Sequence, residues 1–175
     1  MTGRPPPDDP WVVRVAGPDD VPAICRFGAT HVPPHYAPLI GARAAEAQVT
    51  RWWSAAHVGA AVAEARVVVA DTHGGIVGVA QLGRDGAEHV LYKLYVGPGH
   101  RGRGLGPDLV AAVVRLLPPG TRRLSVEHFS GNARAGAFYE REGFTVDRVD
   151  PSPFGDPALD VVWRSRDVEV ADRPW

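Results

Sequence analysis

Hydrophobic positions along this chain change period several times, and each change marks an element. Residues 67–71 and 76–82 are short runs rich in Val, Ile, Ala and Leu, joined by Thr72-His73-Gly74-Gly75, whose glycines supply the positive φ of a hairpin turn. A second turn at 84–87 leads into residues 90–96, a run free of Gly and Pro and mostly β-branched, aromatic or aliphatic, as a strand buried on both faces requires. These three are expected as antiparallel neighbours. Residues 11–15 alternate well enough for a first strand, and 123–129, 144–149 and 159–164 read as later ones, the last two separated by the Pro-rich loop 151–157.

Helical periodicity fills the gaps. Gly17-Pro18-Asp19-Asp20 opens a helix with either aspartate as N-cap, and that helix is expected to end before Pro33-Pro34. Residues 40–64 are Ala-rich, with Ala44, Ala47, Gln48, Arg51, Trp52 and Ala55 favouring a second helix that breaks near Gly59. Trp52 and Trp53 point about 100° apart on such a helix, so either both pack, or one packs while the other faces a pocket. Leu105, Leu109, Val110, Val113, Leu116 and Leu117 form the stripe of a third helix, which stops at Pro118-Pro119-Gly120. A fourth runs from Asn132 to Glu142 and ends on Gly143, an αL cap. Because a helix separates 90–96 from 123–129, those two strands are expected to be parallel.

Composition narrows the function classes. At 175 residues the chain suits one domain, expected over 11–166 with loose tails at 1–10 and 167–175. A formal charge of −1 and a pI near 6.6 argue against nucleic-acid or membrane-surface partners. No apolar run has signal-peptide or membrane-span character, so a cytoplasmic protein is expected. Cys25 is the only cysteine and reads as a small buried apolar residue among Val21, Ile24 and Phe27. Lys93 is the only lysine. His31 and His35 stand four apart, but the prolines between them argue against a helical metal pair, and no metal is expected.

The chemistry concentrates in 88–106, EHVLYKLYVGPGHRGRGLG: a strand, a Gly-Pro-Gly turn and a basic, glycine-punctuated loop at a helix N-terminus. Unpaired amides and the positive end of the macrodipole lie there, missing side chains let a ligand approach, and Arg101 and Arg103 add charge, which together suit a pyrophosphate. Pro107 spoils GxGxxG, and no GxxxxGK followed by Ser or Thr occurs, so dinucleotide and P-loop readings fall away.

Arg101, Gly104 and Gly106 resemble the acyl-CoA signature of the GNAT superfamily of N-acetyltransferases: Gln or Arg, two residues, Gly, one residue, then Gly or Ala. A later segment, Glu127, Asn132, Ala135, Phe138-Tyr139 and Gly143-Phe144, resembles the family's second CoA-binding motif in order and spacing. The likeness spans about 12–164 and is strongest over 91–144. It implies an α/β fold with a central mixed sheet of about six to seven strands, about four flanking helices and two splayed parallel central strands. It also implies acetyl-CoA as co-substrate, with direct transfer to a primary amine. Backbone groups of Leu94, Tyr95 and Val96 would hold the pantetheine arm and acetyl carbonyl, and Arg101, Gly102, Arg103, Gly104, Leu105 and Gly106 the pyrophosphate. Asn132 would bind the pantetheine. Tyr139 would be the general acid, and Phe138 would turn away into the core. Glu127 occupies a position where some members carry the base; Glu88, His128 and water compete for that role. Acceptor pockets in the family suggest 31–40, Trp52-Trp53 and 151–157, whose aromatics and histidines favour a small amine of apolar character. A protein α-amino group is an alternative acceptor, a catalytically silent acyl-CoA-binding module is an alternative of another class, and an unpaired strand edge would allow a homodimer.

Overall fold

A computed structural model describes residues 10–169. The expected tail at 1–10 lies outside that range but for Pro10, and 170–175 lie outside it as well.

Seven strands form one mixed sheet: β1 (Val12–Val15), β2 (Val67–Thr72), β3 (Gly75–Asp85), β4 (Glu88–Val96), β5 (Arg123–Phe129), β6 (Thr145–Asp150) and β7 (Val161–Asp167), in the spatial order β1-β2-β3-β4-β5-β7-β6. All neighbours are antiparallel except β4 and β5. Alternation along the strands sorts the core into two layers. Val67, Val69 and Val79 face α1 (Val21–Ile40), α2 (Ala42–Trp52) and α3 (Ala55–Ala63); Val68, Ala70 and Ala80 face α4 (Leu105–Leu116) and the end of α5 (Ala133–Arg141). β7 reaches Asp167, and Val168 beyond it is buried, its N–H donating to Arg122 O at 2.8 Å.

The five helices exceed the four expected because the Ala-rich segment is two. The break falls at Trp53-Ser54 and not near Gly59. Ser54 is the N-cap of α3, its side chain accepting the His57 N–H at 3.3 Å, which is ordinary serine capping.

The larger correction concerns α1, which runs through Pro33, Pro34 and Pro38 to Ile40. Each proline deletes a donor and disfavours helix at the residue before it. Ile24, Phe27 and Val32 are nonetheless almost fully buried along its inner face, and this packing outweighs the local cost. His31 and His35 therefore do share a helix, so the geometric objection to pairing them fails; among the described residues no cluster of three metal-ligating side chains forms. No described helix is long and apolar enough to cross a membrane.

β4 and β5 pair only at Val90↔Ser125 and Leu91↔Val126. Beyond those residues β4 stays on β3 as far as Val96, and β5 stays on β7 as far as Phe129. The two strands therefore part towards their carboxyl ends.

Above that opening, Trp53 is buried between α1 and β4. A Cβ on Gly28 would lie 2.3 Å from the indole Cδ2. Gly28→Ala is expected to destabilise the fold by about 1–3 kcal/mol, seen as a lower urea midpoint with an unchanged slope. An unaltered midpoint would show that the indole can swing aside without loss.

Candidate active site

The opening between β4 and β5 separates two cavities, with the Tyr95 side chain lining both. The first is lined by Leu94, Val96, Arg101, Gly102, Gly104, Gly106, Asn132, Arg134, Phe138 and Tyr139, among others. Main-chain direction in β4 shows which groups face it. Gly97 N–H donates to Val77 O at 2.8 Å, so alternate residues turn their N–H and C=O to β3, and Leu94 and Val96 turn theirs to the opening. Val96 O is taken by Arg101 Nε at 2.9 Å, which leaves the Val96 N–H and both Leu94 groups for a ligand. By the same alternation Tyr95 directs its main chain to β3, contrary to its expected backbone role, and joins the site through its ring.

The glycine loop meets the helix as its sequence suggests. Gly104 is the N-cap of α4 in the αL region at φ 92°, where a side chain would be strained. At Gly106 the constraint is space, since a Cβ would lie 2.8 Å from the Phe138 ring. That contact also corrects the expectation for Phe138: the ring faces the cavity beside Tyr139.

The charges are Arg101 and Arg134, together with Arg141 and Glu142 at the edge. Burial, then repulsion from Arg134, pushes the Arg101 pKa down. His35 is lowered by burial and then by the same two arginines. Groups that disfavour one another's charge while sharing a cavity with the N-terminus of α4 suit an anion that neutralises them, so the residues present fit a pyrophosphate. Two of the expected loop residues bring no side chain to this lining. The Arg103 guanidinium stands 5.6 Å over the Trp11 ring instead, and Leu105 is core.

Asn132 is the N-cap of α5 and not an interior helical residue. Its Oδ1 accepts Ala135 N–H at 3.2 Å, which turns Nδ2 to donate to His35 Nε2 at 3.1 Å. His35 is thereby held as the neutral Nδ1–H tautomer. Asn132 and Tyr139 line one cavity. Tyr139 is buried among Phe138, Phe144 and His128. Burial, then the nearby Tyr36, raises its pKa well above 10, so the phenol holds its proton.

The second cavity, about 770 Å3, is of small-molecule size. Tyr36, Trp52 and Trp53 give it aromatic walls; Glu127, expected at the site, lines it together with Glu64, Arg66, Arg84 and Lys93, charges that the sequence reading did not place there. The 151–157 loop lines neither cavity. Glu127 opens into the cavity yet has protein on most sides; burial first, and then Asp85, raises its pKa. The rival bases stand differently. Glu88 lies at the other end of β4, accepting a hydrogen bond from Ser125 Oγ at 3.2 Å, and lines neither cavity. His128 is committed on both sides, its Nδ1 donating to Phe129 O at 2.9 Å and its Nε2 accepting from Arg164 Nε at 3.1 Å. Protonating Nε2 would set an N–H against a guanidinium, and burial lowers the His128 pKa further.

A sheet parted between two parallel strands, with a glycine-arginine loop at one mouth and a carboxylate in the opposite cavity, is the arrangement expected from the resemblance to GNAT acetyltransferases. Residues 63–146 match the family described as acetyltransferase (GNAT) domain. No curated protein matches it in sequence. Among solved structures it is similar to the PaiA N-acetyltransferase of Thermoplasma acidophilum in complex with coenzyme A, at 14% identity and a TM-score of 0.78, covering 91% of this chain and 99% of that one. YncA of Salmonella typhimurium, solved with its cofactor acetyl-CoA, is 23% identical with a TM-score of 0.59 over 94% of this chain and 98% of that one. The ribosomal-protein-S18-alanine N-acetyltransferase of Escherichia coli is 21% identical, with a TM-score of 0.64 over 95% and 99% of the two chains. At these identities the likeness speaks for the fold.

Arg134 went unnoticed in the sequence because it lies outside the glycine loop, and it supplies a direct test. Arg134→Ala is expected to weaken coenzyme A binding roughly tenfold, equivalent to about 1.4 kcal/mol, in calorimetric titration, and the deficit should shrink at high salt. Unchanged affinity would remove Arg134 from the anion site.

Proposed function

We propose that this protein is an N-acetyltransferase that uses acetyl-CoA to acetylate a primary amine on a small molecule, without a covalent enzyme intermediate. The observation that carries the reading is the pair of cavities meeting at Tyr95 across the parted strands. One is basic and ends at a buried phenol; the other is aromatic-walled and contains a carboxylate of raised pKa. When bound, acetyl-CoA supplies the activated acetyl thioester.

The chain's own groups do the rest. Arg101, Arg134 and the amides around Gly104 hold negative charge at the mouth of the first cavity, while the Val96 N–H and the Leu94 backbone line the opening within. A backbone N–H facing that opening can hold negative charge on a carbonyl oxygen. Tyr139 keeps a proton on its hydroxyl at the cavity floor. Glu127 accepts a proton from the acceptor amine, directly or through water, and its raised pKa makes it a stronger base than an ordinary carboxylate. The cavity it lines, of small-molecule size, supports a small acceptor.

Thiol release from acetyl-CoA over a panel of amines tests the reading. Coenzyme A binding without release for any amine is the outcome for a silent binding module. Tyr139→Phe is expected to lower kcat roughly 10²-fold with little change in the acetyl-CoA KM; a change in KM alone would make Tyr139 a binding residue. For Glu127 the sign is fixed by the base form. The carboxylate must be ionised to take the proton, so kcat/KM falls as pH drops through its pKa, above the usual carboxylate range. Glu127→Gln should remove that acidic limb, and identical pH profiles of parent and variant would clear Glu127 of the role.

A further inference from the structure

Lys93 has no part in the mechanism above, yet it is the only lysine in the chain and is buried within the acceptor cavity. Its ammonium donates to Gln81 Oε1, across the β3–β4 pair, and lies 5.1 Å over the Trp53 ring. Gln81 is itself buried. The described groups that act on Lys93 electrostatically are Arg66 and Cys25, and no carboxylate is among them. Glu127, in the same cavity, responds instead to Asp85, Arg148 and Asp150, so the two do not form an ion pair. Burying a cation without an anion is unfavourable, and a ligand that brings one offsets the cost.

The geometry points to Lys93 as the anchor for a carboxylate on the acceptor, which makes the acceptor an amine that also carries a carboxylic acid and an apolar body. This rests on the transferase reading for the amine but not for the carboxylate. A single ammonium balances a monoanion, and the Gln81 amide beside it carries further N–H donors, a set that matches two carboxylate oxygens better than a phosphate dianion. Tyr36, Trp52 and Trp53 suit the apolar body. Glu127, apart from Lys93, is left to attend to the amine.

Protonation of Lys93 sets the pH range. The groups facing it are Cys25 from α1, Trp53 at the end of α2, His57 of α3, Arg66 before β2 and Gln81 of β3. Burial, with Arg66 adding to it, lowers its pKa to about 8. Carboxylate affinity should therefore be full below that value and fall as pH rises through and beyond it, a bound carboxylate moving the midpoint upward.

Two measurements test this. In calorimetric titrations of the coenzyme A-loaded protein, 3-phenylpropionate should bind at least tenfold more tightly than 3-phenylpropionamide, and Lys93→Met should bring that ratio close to one. Lys93→Arg should keep part of the preference, and the acid-to-amide comparison in the parent stands even if a variant fails to fold. In thiol-release assays, α-, β- and γ-amino acids are compared with their carboxamides, and the ratio of kcat/KM, acid over amide, should fall tenfold or more in Lys93→Met. Equal binding of acid and amide by the parent would overturn the inference, as would equal loss on both in the variant, which would mark Lys93 as a base or a packing residue. Acid-selective binding with no thiol release from any amine would sink the transferase reading and leave the anchor standing.

Discussion

The site depends on a ladder that stops early. Two parallel strands that pair at Leu91 and Val126 and then diverge leave main-chain N–H and C=O groups on both facing edges, and such groups are costly to bury without partners. The sheet tolerates this because each strand is held from its outer side, β4 by β3 out to Val96 and β5 by β7 out to Phe129. A register shift at Gln81/Leu82 accompanies the turn of β4 away from β5. Aromatic rings span what the ladder does not. Tyr36 of α1 lies 6.0 Å from Phe129 on one strand and 6.4 Å from Tyr95 on the other, edge to face with both, so α1 bridges a gap that hydrogen bonds leave open.

That dependence explains a helix that local rules forbid. Pro33, Pro34 and Pro38 remove donors and bias their predecessors away from helix, and on local grounds α1 stops at Val32. Tyr36 and His35 reach the cleft only if it does not. Propensity was readable from the sequence; the packing that overrides it was not, because its partners lie on strands far along the chain. The break was expected near Gly59, yet it falls at Trp53-Ser54, where the Ser54 side chain caps the next helix.

The candidate site was legible where chemistry follows backbone pattern and illegible where it follows side-chain direction. The strand, the glycine loop and the N-terminus of α4 were placed by spacing, and Asn132 and Tyr139, which line one cavity, by the resemblance of their segment to a CoA-binding motif. Spacing could not show that Arg103 turns to Trp11 while Arg134 turns inward, because both are arginines beside a turn. Nor could it show Phe138 at Gly106, a contact between two helices. His128 and Glu88 were indistinguishable from Glu127 as bases until hydrogen bonds showed one fully engaged and the other at the wrong end of its strand.

Electrostatics inside the cleft follow one rule, that burial penalises whichever form is charged, and its consequence differs by residue. Tyr139 is raised and so keeps its proton, as the general-acid role proposed for it requires. Glu127 is raised and gains as a base. Lys93 is lowered to about 8, and here the residue type decides the outcome. An arginine at this position could not shed its proton and would keep its full desolvation cost at every physiological pH. A lysine can give up part of its charge while no anion is near and recover it when one arrives. Every other Lys or Arg position in the chain is arginine, so Lys93 is its one long-chain cation able to lose the proton near neutral pH.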